Sequence, residues 1–127
     1  KQMIVGIGCD IIEIERIARA IKRESFIQRV FTAKEAAYCQ SRGQQEAASF
    51  AARFAAKEAV LKALGTGLRE GSLQEIAVAN DALGKPLVQL SGHFAMLAKQ
   101  LGVKNIQISL SHSRDFAVAY VIMEDDK

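Results

Sequence analysis

The chain has 127 residues, of which 50% are hydrophobic and 24% charged, with a net charge of +3. That length supports one domain, residues 1–127, with a buried core. The mild basicity suits an anionic ligand or an acidic partner protein. It argues against a nucleic-acid binder, which needs a basic patch interleaved with aromatics, because only 6% of residues are aromatic and none is Trp.

Cys9 and Cys39 have no CxxC or histidine spacing, so they read as free thiols in a reducing compartment. No apolar run approaches the roughly 18 residues of a membrane span. Met3 to Gly8 is too short for the apolar part of a signal peptide, and acidic residues follow at once. The expectation is a cytoplasmic protein with no membrane partner.

Met3 to Cys9 is a short β-branched run and predicts a buried strand closed by Asp10. Gly6 and Gly8 within it predict close approach by another backbone. The Gly-x-Gly pair is poor evidence for a nucleotide, since the rest of a dinucleotide fingerprint is missing. Asp10 taken alone reads equally as a helix cap. Ile11 to Glu24 predicts an amphipathic helix, with Ile14, Ile17, Ala18 and Ile21 on one face. Arg16, Arg19, Lys22 and Arg23 form the other, which is either solvated charge or a docking surface for an acidic partner. Phe26 to Val30 continues as a helical turn. Thr32 and Glu35 make a capping box that opens a helix to about Cys39. Ser41 to Gln45 is a polar loop.

Glu46 to Leu64 is the strongest helix signal: no Gly or Pro, and eight alanines in nineteen residues. Phe50, Phe54, Val60, Leu61 and Leu64 mark its buried stripe. Glu58 and Lys62 are four apart and share a face. By itself such a pair is a surface ion pair. Its neighbours argue for more: Arg53 and Lys57 on the same helix, the Gly65-Thr66-Gly67 turn that ends it, and Asp10 elsewhere in the chain. Magnesium takes one or two carboxylates and fills its shell with substrate phosphates, so Asp10, Glu58 and Lys62 read as a magnesium and phosphate site.

After a linker over Leu68 to Ser72, Leu73 to Ala79 and Leu87 to Leu90 predict two strands around turns at Asn80-Asp81 and Gly84-Lys85-Pro86. His93 to Leu101 predicts a helix. Asn105 to Leu110 and Phe116 to Met123 predict strands flanking a hairpin turn over Ser111 to Asp115. In that turn Ser111, His112 and Ser113 can donate to a phosphate. A serine hydrolase is a poor alternative, because no Gly-x-Ser-x-Gly elbow is present. The class is α+β, a small, mostly antiparallel sheet packed on one long helix and several shorter ones.

Gly6 to Asp10 with Glu13 and Arg16, Arg53 to Gly67, Asn80 to Pro86, and Ser109 to Ser113 occur in order along nearly the whole chain. Together they resemble the holo-acyl-carrier-protein synthases, the short bacterial-type 4′-phosphopantetheinyl transferases. The segment from Lys57-Glu58 to Lys62 with its Gly-Thr-Gly end is the specific part. The resemblance implies transfer of phosphopantetheine from coenzyme A to a serine of acyl carrier protein, with release of adenosine 3′,5′-bisphosphate. It implies magnesium, and a homotrimer with active sites between subunits. Asp10 and Glu58 would hold the metal, and Lys62 the phosphate. Arg53, Gly65, Gly67, Pro86, Ser111, His112 and Ser113 would contribute to the coenzyme A site. Arg16, with Arg19 and Lys22 on the same face, would meet the carrier protein.

Phosphoryl transfer needs in-line positioning and charge neutralisation, with little covalent help. The serine proton could go to Glu58, Asp10 or a metal-bound water. A carboxylate bound to a cation is a poorer base, which favours water positioned by Glu58. The apolar strands leave a face for subunit contact. Two rivals are a non-catalytic binding module for an acidic protein, resting on the cationic face alone, and a magnesium-dependent phosphohydrolase sharing the metal site.

Overall fold

The computed structural model describes residues 3–126 other than Arg69; Lys1, Gln2 and Lys127 likewise lie outside the described residues. Five strands and five helices appear in the order β1 (Ile4–Glu13), α1 (Ile14–Ala20), α2 (Glu24–Val30), α3 (Ala33–Gln40), α4 (Glu46–Leu64), β2 (Ile76–Asn80), β3 (Pro86–Leu90), α5 (Gly92–Gln100), β4 (Asn105–His112) and β5 (Phe116–Glu124). One antiparallel sheet has the order β1-β5-β4, and β2 pairs with β3 in a second. This is the α+β arrangement expected, with α4 laid across the larger sheet and packed on β1 and β5.

The reason α4 lies so close is written in Gly6 and Gly8. A Cβ at Gly6 would stand 2.2 Å from the Ala63 carbonyl oxygen, and one at Gly8 only 1.9 Å from that of Ala59. Glycine on the strand and alanine on the helix let the two backbones touch. At its far end α4 stops in a Schellman motif. Gly65 adopts the left-handed conformation (φ 75°), its N–H donates to Lys62 O, and Thr66 N–H donates to Leu61 O. The Thr32–Glu35 capping box forms as expected, with Glu35 N–H donating to Thr32 Oγ1 and Thr32 N–H to Glu35 Oε1.

Several boundaries differ from the sequence reading: the helix expected as far as Glu24 stops at Ala20, with α2 starting separately at Glu24, and Asn80, expected in a turn, ends β2. β1 does not end at Asp10 but pairs with β5 as far as Glu13, opposite Phe116, and α1 begins only at Ile14. Ile11 is exposed and Ile12 buried, a two-residue alternation that a long partner strand turns into sheet. Leu73–Glu75 is a 3-10 turn rather than strand, opened by Ser72 Oγ accepting from Gln74 N–H. Ser111 and His112 belong to β4 rather than to the hairpin turn. Both cysteines are free, Cys9 exposed and Cys39 buried with its sulfur accepting from Ser49 Oγ. Among the described residues, no helix is long and apolar enough to cross a membrane.

Candidate active site

Strand alternation puts Asp10 on the same face as Gly6, Gly8 and Ile12, the face that meets α4. There Lys62 Nζ donates to Asp10 Oδ1 at 3.2 Å and to the Cys9 carbonyl at 2.9 Å. Glu58, one turn earlier on α4, is half-buried. Burial pushes its carboxyl above the usual range, the negative charge of Asp10 pushes it further, and Lys62 and Arg16 pull it back. Asp10, Glu58, Lys62 and Arg16 therefore share one electrostatic neighbourhood where strand, helix and α1 converge.

The donor chemistry of this corner fits magnesium. Two carboxylates from separate elements repel one another, and a divalent cation between them would relieve that repulsion. Among the described residues no group of three or more His, Cys, Asp or Glu side chains comes together. A two-carboxylate site that leaves positions for phosphate oxygens suits magnesium better than a full protein cage.

The sequence reading counted Lys57 and Arg53 as cationic company for Glu58 and Lys62. The structure puts them on the other side of α4. Nine residues at 100° each turn Arg53 about 180° away from Lys62. Lys57 is fully buried and ion-paired to Glu35 at 2.7 Å, so it meets no solvent-borne phosphate. Arg53 is 5% exposed, stacks on the Tyr38 ring at 4.3 Å and hydrogen-bonds Asn80 Oδ1. Its Nε is buried without a partner. Pro86 pairs with Asn80 across the β2–β3 hairpin, so Arg53 and Pro86 are drawn together by one residue. Arg53 lines a cavity of about 340 Å³ together with Lys34, Tyr38 and Asn80, and Pro86 is not part of that lining. The sequence offered little warning of Tyr38 and Asn80, which lie far from Arg53 in the chain.

Gly65 and Gly67 follow directly from Lys62 at the end of α4. Ser111, His112 and Ser113 lie apart from Asp10: His112 is opposite Ala117, which is opposite Ile12, so all of β5 intervenes. Ser111 points with Val118 and Ile11 to the other face of the sheet. The turn after Ser113 instead touches the start of α1, where Ile14 N–H donates to Asp115 O at 2.8 Å.

Arg16, Arg19 and Arg23 line a groove of about 390 Å³ floored by Ile12, Ile17, Phe26 and Phe54. Lys22 is exposed beyond the end of α1 and does not line it. Arg19 is only loosely paired with Glu15, at 3.9 Å between well-exposed side chains. Phe54 had read as part of the buried stripe of α4; it is only partly buried, because helical periodicity marks an apolar face without saying how fully protein covers it.

Residues 6–121 match the family model described as the 4′-phosphopantetheinyl transferase superfamily, and the chain belongs to that family. Within it, the chain is 50% identical over 125 residues to a holo-[acyl-carrier-protein] synthase of Clostridium tetani, covering 98% of both chains. Its fold is similar to the crystal structure of the holo-[acyl-carrier-protein] synthase of Neisseria meningitidis, at TM-score 0.86 and 36% identity over 98% of this chain and 100% of that one. It is also similar to that of Bacillus anthracis, solved in complex with coenzyme A (3′,5′-ADP), at TM-score 0.81 and 40% identity over 98% and 99%.

Proposed function

We infer that this chain is a holo-acyl-carrier-protein synthase, moving the 4′-phosphopantetheine group of coenzyme A onto a serine of apo acyl carrier protein. The observation that carries the reading is the meeting of Asp10, Glu58 and Lys62 where β1 crosses α4, in a chain half identical to a synthase of that name. The serine oxygen bonds to the phosphorus that bears the pantetheine arm. The bond from that phosphorus to the bridging pyrophosphate oxygen breaks, and adenosine 3′,5′-bisphosphate leaves.

Asp10 and Glu58 would hold magnesium, which would supply Lewis-acid neutralisation and alignment of the pyrophosphate. Lys62, tethered to the Cys9 carbonyl and Asp10, presents its ammonium where phosphate charge gathers. Glu58, whose basicity the metal would lower, would orient the attacking hydroxyl or the water that takes its proton rather than take the proton itself. The arginines of the α1 groove offer cations around an apolar floor, a fit for an amphipathic acidic helix of the carrier protein.

A homotrimer with sites between subunits accounts for two further features. The sheet face turned away from α4 leaves Ile7 69%, Ile11 64%, Tyr120 57% and Phe116 44% exposed, an apolar surface that a second copy would cover. Arg53 and Pro86, behind α4, can then complete the coenzyme A site of a neighbouring copy together with Ser111, His112 and Ser113. The free cysteines agree with a cytoplasmic setting.

The test weighs apo carrier protein by mass spectrometry after incubation with coenzyme A and magnesium. The expected result is the added phosphopantetheine mass, lost on chelation with EDTA and regained when magnesium is returned. No added mass on any acyl carrier protein defeats the reading. Salt-sensitive binding without transfer would make the chain a binding module, and phosphate release without an acceptor a phosphohydrolase.

A further inference from the structure

Among the described residues, the most deeply buried charges lie outside the site described so far. Lys57 is 0% exposed, and its ammonium donates three hydrogen bonds: to Glu35 Oε1 at 2.7 Å, to Ile76 O at 2.8 Å and to Leu73 O at 3.0 Å. Glu35 is 3% exposed and also accepts from Thr32 N–H at 2.9 Å and from Val78 N–H at 2.7 Å. One ion pair thus joins the start of α3, the middle of α4, the 3-10 turn Leu73–Glu75 and β2.

Its place in the chain ties it to the site. Lys57 immediately precedes Glu58, so anchoring its side chain sets the roll of α4 about its axis. Glu58 is then held about 100° round the helix, and Lys62 about 140°, towards β1. The chain leaves α4 at Gly65 and returns at Leu73. The Schellman bonds fasten the exit, and the Lys57 bonds fasten the return. Packing alone would not call for this: a buried ion pair is commonly no more stabilising than apolar side chains of the same volume. What it adds is direction, because three donors on one nitrogen can be met only with both carbonyls in place.

We propose that Lys57 and Glu35 are positioning residues that hold the Gly65-Thr66-Gly67 turn in the geometry that binds coenzyme A. The proposal rests on the transferase reading of the site. Carrier docking, through the arginines of α1, is left largely untouched.

The variants are Lys57→Met, Glu35→Gln and the apolar double Glu35→Leu with Lys57→Met. Three quantities are read: KM for each substrate, coenzyme A affinity by calorimetry without carrier protein, and amide hydrogen exchange at Thr66, Gly67 and Leu68. In each variant that folds, KM and Kd for coenzyme A rise roughly tenfold or more, and KM for the carrier stays within roughly twofold. Exchange at the three amides quickens. The double variant keeps the protein folded should Lys57→Met alone unfold it. Its melting temperature recovers towards the parent value while coenzyme A affinity does not. A double variant with parental affinity and exchange overturns the proposal, as does any folded variant that loses only kcat. If the parent protein transfers nothing, the transferase reading fails, and the exchange rates still report whether the pair holds the turn.

Discussion

Gly8→Ala tests whether the site depends on the contact between β1 and α4. The added methyl carbon would lie 1.9 Å from Ala59 O, 2.9 Å from Ala59 C and 3.0 Å from Ala63 N, all of them backbone. No side chain can swing aside, so the helix itself must retreat. Ordinary contact begins at 3.4 Å, and the difference from 1.9 Å sets the retreat at about 1.5 Å. Overpacking of this kind costs about 1–3 kcal/mol, and rigid backbone on the receiving side points to the upper end. For a domain of this size that is roughly a 10 °C fall in melting temperature. The retreat also carries Glu58 and Lys62 away from Asp10. The 2.9 Å bond from Lys62 to the Cys9 carbonyl would open beyond hydrogen-bonding range. A misplacement of about 1 Å at reacting groups can cost about 100-fold in rate. The assay is the initial rate of phosphopantetheine transfer to carrier protein, alongside a thermal melt. A variant with parental melting and parental rate would refute the claim that glycine sets the spacing of the site.

Glu58→Gln should abolish transfer and yet stabilise the metal-free protein at neutral pH. The carboxyl is held above its ordinary value of 4.5 in the folded chain, so folding favours its proton. Stability is therefore lost as pH rises from that value through the raised one, and glutamine removes the loss. The variant's melting advantage, measured in EDTA, should be missing in acid and grow towards neutrality; an advantage that shrinks with rising pH contradicts the burial argument. Arg19→Glu should raise KM for the carrier protein about tenfold at low ionic strength, with less effect in high salt and none on KM for coenzyme A. An unchanged carrier KM would remove the α1 groove from the docking surface.

Much of this was legible in local chemistry. Eight alanines without a breaker make α4 helical in almost any setting, Gly65 is the residue a left-handed cap needs, and Thr32 with Glu35 closes its own box. Gly6 and Gly8 announced that another backbone would come close. The spacing of Glu58 and Lys62 placed them on one face before any partner was known. These features depend on interactions within a few residues, which a one-dimensional reading contains.

The rest depended on what stands opposite. Asp10 lies within a strand, not at its end, because β5 continues alongside as far as Phe116. Lys57 and Glu58 are neighbours in sequence with opposite fates. An alanine-rich helix buried on most sides has no polar stripe to show which of its charges faces water, and only Glu35, Leu73 and Ile76 decide that Lys57 does not. Arg53 likewise went to Tyr38 and Asn80, on the far side of α4 from Lys62. By itself the sequence determined which residues could bear charge, cap a helix or let backbones touch. The tertiary structure alone decided which charges meet, since a side chain's company is set by elements distant in the chain, and the energy of a charge follows its company.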